Sequence, residues 1–319
     1  MGIFDYPVMF PDVDVIIPTL NAESTIDKSL RGLNNQDYQG RIMITIVDGG
    51  STDKTIEIAQ RYDTKIITKP GMYGTGKNGA RHFGEMITQS AFVWNIDSDN
   101  IIVEPTVLSR LVTPLIEDQT LNISAPTTAL DKTSSSFNRW TSLVEIKNVE
   151  NMVKRGTSKE NGYVFLSNIN YGLTNCSLLR RSVLNLCGGY DSDVRLLRRI
   201  QRLGLAKGVI DLQSHFYHNQ TTSVLNYLRK LDKRFKRFGK MSNNELIEYF
   251  VEYPPLEVDN SKLRKDSIKS LIYDPLIQIS HFFREPDLAW LWGLPFSLLF
   301  ILYISMHPIL SNNVFKRFL

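Results

Sequence analysis

Four β-rich runs, VDVIIPT (13–19), RIMITIVD (41–48), TKIIT (64–68) and AFVWNID (91–97), alternate with three stretches of helical period over the first hundred residues. Those stretches are STIDKSLRGLNNQ (24–36), DKTIEIAQRY (53–62) and GKNGARHFGEMITQS (76–90). A strand followed by a helix and another strand closes most readily as a right-handed crossover, so this order constrains the chain to an α/β fold. The expectation is a mostly parallel sheet with helices on both faces. Ligands of such sheets lie beyond the carboxyl ends of the strands. Three of those ends carry polar loops, PTLNAE (18–23), DGGSTDKT (48–55) and DSDN (97–100), which should converge on one crevice.

Composition narrows the chemistry. A length of 319 residues allows one large domain and an appendage, and a net charge of +4 is too small to imply nucleic acid. Cys176 and Cys187 are the only cysteines, too few for a disulfide framework or a cysteine-rich metal site. The N-terminal MGIFDYPVMFPDVDV lacks the basic and apolar regions of a secretory leader.

Near the other end, Leu288 to Phe315 contain no Asp, Glu, Lys or Arg. LAWLWGLPFSLLFILYISMHPIL (288–310) is apolar over about 23 residues, enough to cross a hydrocarbon layer. The expectation is a single membrane pass over 288–310, followed by a tail, 311–319. Pro295, Pro308 and His307 leave a buried core helix or an interfacial helix as alternatives. NYLRKLDKRFKRFGK (226–240), opening a basic region to residue 287, reads as an amphipathic helix on an anionic membrane surface. Lys262, Arg264, Lys265, Lys269 and Arg284 precede the apolar run and Lys316 and Arg317 follow it, which would put the catalytic domain on the cytoplasmic face.

Asp97 and Asp99, one residue apart, pose an electrostatic problem that a divalent cation would relieve. The nearby GTGKNGA (74–80) fits a dinucleotide fingerprint, but it follows two strand–helix pairs, whereas that fingerprint belongs to the first turn of its unit. Lys77 is followed by Asn78, which also excludes a Walker loop. A nicotinamide-dependent oxidoreductase is therefore only a remote alternative.

VDVIIPTLNAESTI, TIVDGGSTDKT, GKNGARHFG and NIDSDN, in this order and spacing, resemble the nucleotide-binding half of family-2 inverting glycosyltransferases of the GT-A fold. The likeness continues more weakly through YGLTNCSLLRRSVLNLCGGYDSDVRLLRRIQRLG and YHNQTTSVLNYLRK. It implies a catalytic domain over 1–225, with a donor half at about 13–100 and an acceptor half at about 101–225. The activity implied is transfer from a UDP- or GDP-sugar, assisted by Mg²⁺ or Mn²⁺, to a polyprenyl phosphate or a lipid-linked glycan. A non-catalytic, membrane-attached nucleotide-sugar binder is the alternative.

The resemblance also assigns roles. Asp99 would ligate the metal, with Asp97 between metal and ribose and Ser98 beside the donor. Asp48 would bind the base, and Pro18, Thr19, Asn21 and Glu23 would line the same pocket. Lys77 and Arg81 would meet the donor phosphates. Gly49 stands where many relatives carry a second acid, which leaves uracil and guanine both open. Asp193 is the candidate general base, preceded by Ser192 where a Glu is usual. Asp191, Ser192 and Asp193 also read as a helix cap. Asn175, Arg195 and Arg198 would face the acceptor; Arg195, Arg198, Arg199 and Arg202 share one helical face, which is equally a solvated face. His218 would complete the metal shell, with His215 as its competitor. No role is assigned to residues 134–163.

Overall fold

The computed structural model describes residues 10–68, 76–169, 176–191, 193–220, 289 and 292. The first four strands and three helices fall where the periodicity places them. They are β1 (Val13–Thr19), α1 (Ile26–Asn34), β2 (Ile42–Asp48), α2 (Thr55–Ala59), β3 (Thr64–Thr68), α3 (Lys77–Met86) and β4 (Phe92–Asn95). The short β5 (Asn100–Ile102), α4 (Val107–Glu117), β6 (Ile123–Ala129) and α5 (Ser136–Val153) follow. The chain then forms β7 (Ser158–Glu160), β8 (Tyr163–Leu166), β9 (Leu178–Arg180), α6 (Arg181–Leu186), α7 (Asp193–Arg202) and β10 (Gly208–His218).

The sheet runs in the order β3-β2-β1-β4-β9-β6-β10-β8-β7, with β5 paired to β10. Its first four strands are parallel, as expected. The other half is mixed, which corrects the expectation of a mostly parallel sheet. β9 runs antiparallel to both β4 and β6, β10 is parallel to β6, and β5 and β8 are antiparallel to β10. β7 and β8 pair as a hairpin across a short turn, whereas the other antiparallel pairings join strands distant in sequence, a register that local periodicity does not reveal.

Helices cover both faces. Val13, Val15 and Ile17 of β1 point into a core shared with Ile26, Leu30 and Leu33 of α1 and with Leu108 and Leu111 of α4. Ile16 points the other way, into a core with Phe83 of α3, Val183 and Leu184 of α6 and Leu196 and Ile200 of α7. This alternation is the two-residue period of a strand buried on both sides. Gly84 lets α3 lie close on β1, since a Cβ there would come within 2.5 Å of Ile16 Cγ2. That close seat brings Lys77 and Arg81, one turn apart, toward the end of β4.

Contacts divide the chain into two compact units, Met1–Ala129 with Glu145–Asn219, and Leu130–Val144 with Gln220–Leu319. The membrane pass expected over 288–310, and the membrane localisation drawn from it, are corrected here. No helix among the described residues is long and apolar enough to cross a membrane. Ala289 is fully buried in a cluster with Phe137, Trp140 and Leu143. Trp292 sets its ring edge-on to Phe137, with centroids 5.6 Å apart, and its Nε1 donates to Ser136 Oγ at 3.1 Å. An apolar run can find its solvent in a protein core as well as in lipid, and composition alone does not distinguish the two. The rest of that run and the basic stretch 226–240 lie outside the described residues.

Candidate functional site

The strand ends converge within the first unit. Asp48 closes β2 opposite Thr19, so the loops after β1 and β2 leave the sheet side by side. The two loops are clipped together reciprocally. Asn21 N donates to Ser51 Oγ at 2.9 Å, while Asn21 Oδ1 accepts from Thr52 N at 2.8 Å. Glu23 N donates to Asp53 Oδ2 at 3.1 Å, and Glu23 Oε2 accepts from Lys54 N at 2.9 Å. Asn21 adopts φ 50°, a left-handed conformation that Asn tolerates better than most residues.

Several residues expected to touch the donor are thus occupied in holding the loops. Asp48 is buried, and its carboxylate accepts from Gly50 N at 2.9 Å, from Ser51 N at 3.0 Å and from Ser51 Oγ at 2.5 Å. Thr19 is buried with its hydroxyl on Ile17 O, and Pro18 is buried in β1. Ser98 is half-buried in the turn that Asn100 N closes on Asp97 O at 2.9 Å.

Asp97 lies just past β4 and is held by two cations. Arg81 Nη2 approaches Oδ1 at 2.5 Å and Lys77 Nζ approaches Oδ2 at 2.9 Å. Burial alone would raise the Asp97 carboxyl, but these charges outweigh it and hold the group well below the usual carboxylate range. The Arg81 side chain is only 1% exposed, against 53% for Lys77, so one cation is built in and the other sits at the surface. Arg81 Nη1 is 2.6 Å from the Tyr190 hydroxyl, and its guanidinium lies 4.9 Å from that ring's centroid. Tyr190 is fully buried three positions before the start of α7, a contact that sequence patterns did not flag.

His218 reaches the same place from far along the chain. Antiparallel pairing of β10 with β5 sets His218 against Asn100, next to Asp99. Ligand atoms of Asp97, Asp99 and His218 lie within 4.8 Å of one another. His218 Nε2 is 3.7 Å from Asp99 Oδ1, while Nδ1 is 2.8 Å from Glu145 Oε1 of α5. Burial would lower the imidazole pKa, but Glu145 and Asp99 outweigh it and raise it. Asp99 Oδ1 is buried and accepts no hydrogen bond within the described residues. Two carboxylates and an imidazole are a donor set that suits Mn²⁺ or Mg²⁺, so the residues fit the implied metal. His215 lies elsewhere, with Nδ1 on Glu104 Oε1 at 2.7 Å.

Asp193 opens α7, and its side chain, with Ser192 and Asn175, lies outside the described residues. Arg195 is exposed and Arg198 half-buried on that helix. Asp191 accepts two bonds from Arg199, Nη1 to Oδ2 at 2.8 Å and Nη2 to Oδ1 at 3.0 Å.

Behind Tyr190 sits Glu85, whose Oε2 accepts from Tyr190 N at 2.8 Å and whose Oε1 is buried. Burial raises this carboxyl from 4.5 to about 7, and hydrogen bonding to Asn95 with the nearby Arg181 and Arg81 offsets only part of that. The folded state therefore holds a proton that the unfolded chain has released, and stability falls as pH rises from 4.5 toward 7. Glu85→Gln should remove that slope. In urea unfolding from pH 4 to 8, the variant should gain on wild type by up to ~3 kcal/mol across the window. A pH-independent difference would show that Glu85 titrates alike in the folded and the unfolded chain.

Comparison with known proteins gives this site a family. The family model described as Glycosyl transferase family 2 matches residues 14–188. An N-acetylglucosaminyltransferase of Azorhizobium caulinodans is 34% identical over 110 residues, covering 33% of this chain and 28% of its own. The probable glycosyltransferase YdaM of Bacillus subtilis is 25% identical over 206 residues, covering 61% of this chain and 47% of its own. The matched stretch is thus less than half of either relative's length. Among solved structures, Staphylococcus aureus TarS 1–349 in complex with UDP-GlcNAc aligns with a TM-score of 0.45 at 18% identity, over 67% of this chain and 62% of that one. Glucosyl-3-phosphoglycerate synthase of Mycobacterium tuberculosis, in complex with Mn²⁺ and UDP-glucose, aligns with a TM-score of 0.46 at 20% identity, over 68% and 74%. The mixed sheet with helices on both faces is consistent with a GT-A fold. With more than half of its residues inside the family model, the chain belongs to Glycosyl transferase family 2.

Proposed function

We propose that this chain transfers a sugar from a nucleoside diphosphate donor, with inversion, to an acceptor that carries negative charge. The observation that carries the reading is the meeting of Asp97, Asp99 and His218 at the carboxyl ends of the parallel strands. Asp99 and His218 would hold Mn²⁺ or Mg²⁺, with Asp97 as a third ligand once Lys77 moves to the donor phosphates. When bound, the cation would neutralise charge developing on the departing diphosphate. Arg81 stays with Asp97 and Tyr190, fixing the acid's position rather than following the substrate. Asp193, at the first turn of α7, would take the acceptor proton, and Arg195 and Arg198 of the same helix would draw an anionic acceptor toward it. A polyprenyl phosphate or a phosphate-bearing glycan has the required charge. N-acetylglucosaminyltransferases among the relatives favour UDP-GlcNAc as donor.

The test is nucleotide release from UDP-GlcNAc, UDP-glucose and GDP-mannose by the full chain with Mn²⁺, with and without polyprenyl phosphate. UDP-GlcNAc is expected to turn over fastest, and only with the cation present. Absence of both release and binding with every donor would sink the reading.

A further inference from the structure

Glu145 belongs to a stretch that carries no motif, yet its carboxylate meets the buried imidazole on the side away from the acidic pair. Oε1 and Oε2 lie 2.8 and 3.0 Å from His218 Nδ1. Thr128 of β6 adds a longer contact from its hydroxyl to Oε2, at 3.4 Å. The opposite nitrogen, Nε2, faces Asp99 Oδ1 at 3.7 Å.

We infer that Glu145 is a positioning residue that fixes the ring orientation and tautomer of His218, so that Nε2 presents its lone pair to a divalent cation shared with Asp99. An imidazole can offer only one nitrogen as a metal ligand if the other carries its hydrogen, and a carboxylate accepting from Nδ1–H selects which one. A nitrogen lone pair and a carboxylate oxygen facing each other repel unless a proton or a metal stands between them. The Glu145–His218–Asp99 line therefore has its two outer carboxylates in different roles. Glu145 grips the back of the ring, and Asp99, whose Oδ1 accepts no hydrogen bond among the described residues, stands at the front. Glu145 is not itself a ligand in this arrangement, because it lies on the Nδ1 side of the ring. The inference rests on the metal-dependent reading of the site and adds to it a residue outside the acidic motif.

Mn²⁺ affinity, measured by calorimetry in the presence of UDP, separates the two ideas. Wild type should bind and Asp99→Asn should not. Glu145→Ala should bind about 10- to 100-fold more weakly, the range for losing the partner behind a ligating histidine. Glu145→Gln retains an oxygen acceptor and should lose less. Nitrogen-15 spectra of the metal-free protein at alkaline pH should show the His218 proton on Nδ1 in wild type and a shift toward Nε2 in Glu145→Ala. Should wild type bind Mn²⁺ and Asp99→Asn fail while both Glu145 variants match wild type, Glu145 has no positioning role and the metal reading stands. If wild type itself binds no Mn²⁺, both fall. Thermal melts identify a variant that fails to fold, and the Gln variant with the wild-type spectrum then decides the question.

Discussion

Asp99→Asn should cost at least ~100-fold in kcat/KM for sugar-nucleotide turnover while leaving the melting temperature close to wild type. The two halves of that result come from one atom. Asp99 Oδ1 is buried without a hydrogen-bond partner among the described residues, so replacing the carboxylate with an amide loses at that atom only the 3.7 Å ion pair to His218. Its neighbour His218 is additionally anchored by Glu145, which limits the disturbance in the metal-free protein. For activity, removing an outer partner of a metal ligand costs about 10- to 100-fold, so removing a ligand itself should cost at least the upper end. The variant's residual rate should also stop responding to added Mn²⁺. Turnover that stays within a few-fold of wild type, or that survives complete chelation in the wild type, would refute metal dependence and with it the role of the acidic pair.

Much of this site was legible locally. The periods of 2 and 3.6 residues reported on each segment's own backbone, and they placed β1 to β4 and α1 to α3 because each buries a face through its own repeat. The acids at the strand ends were visible for the same reason. What no local pattern encodes is pairing between distant segments. His218 was named as a metal ligand only through the family resemblance, since its position beside Asp99 is set by β10 running antiparallel to β5, across more than a hundred residues. Glu145 was hidden because a single acid in a polar helix looks like a solvated one until the partner strand is in place. The resemblance placed Lys77 and Arg81 at the donor phosphates, but their attachment to Asp97 follows from the close seat of α3 on β1 at Gly84. The apolar run at 288–310 misled for a physical reason as well, since Ala289 and Trp292 pack on the aromatic face of Phe137 and Trp140, a fate that hydropathy does not separate from burial in lipid.

Arg81→Met should destabilise the metal-free protein by ~3 kcal/mol at pH 7, and the deficit should shrink as the pH is lowered. Methionine fills much of the same volume, so the change isolates charge and hydrogen bonding from packing. It leaves Asp97 buried with Lys77 as its remaining cation among the contacts described, and Lys77 is half exposed and screened by water. Breaking a buried pair by removing one partner costs about 3–5 kcal/mol, and the surviving lysine argues for the lower end. The pH dependence has a definite sign. Asp97 in wild type is held below its ordinary pKa, so the unfolded chain takes up a proton first as the solution becomes acidic. The stabilisation is therefore present above about pH 4, where the unfolded carboxylate is ionised, and is lost as pH falls toward the depressed folded value. Urea unfolding at pH 7, 5 and 3 should show wild type and variant drawing together at the acid end. Tyr190→Phe serves as the control, since it removes the phenol that meets Arg81 at 2.6 Å and leaves the Asp97 pair intact; its cost should be ~1 kcal/mol and flat with pH. A deficit in Arg81→Met that stays constant from pH 7 to pH 3 would mean that the guanidinium stabilises through packing against the Tyr190 ring, and that Lys77 alone suffices to hold Asp97 ionised.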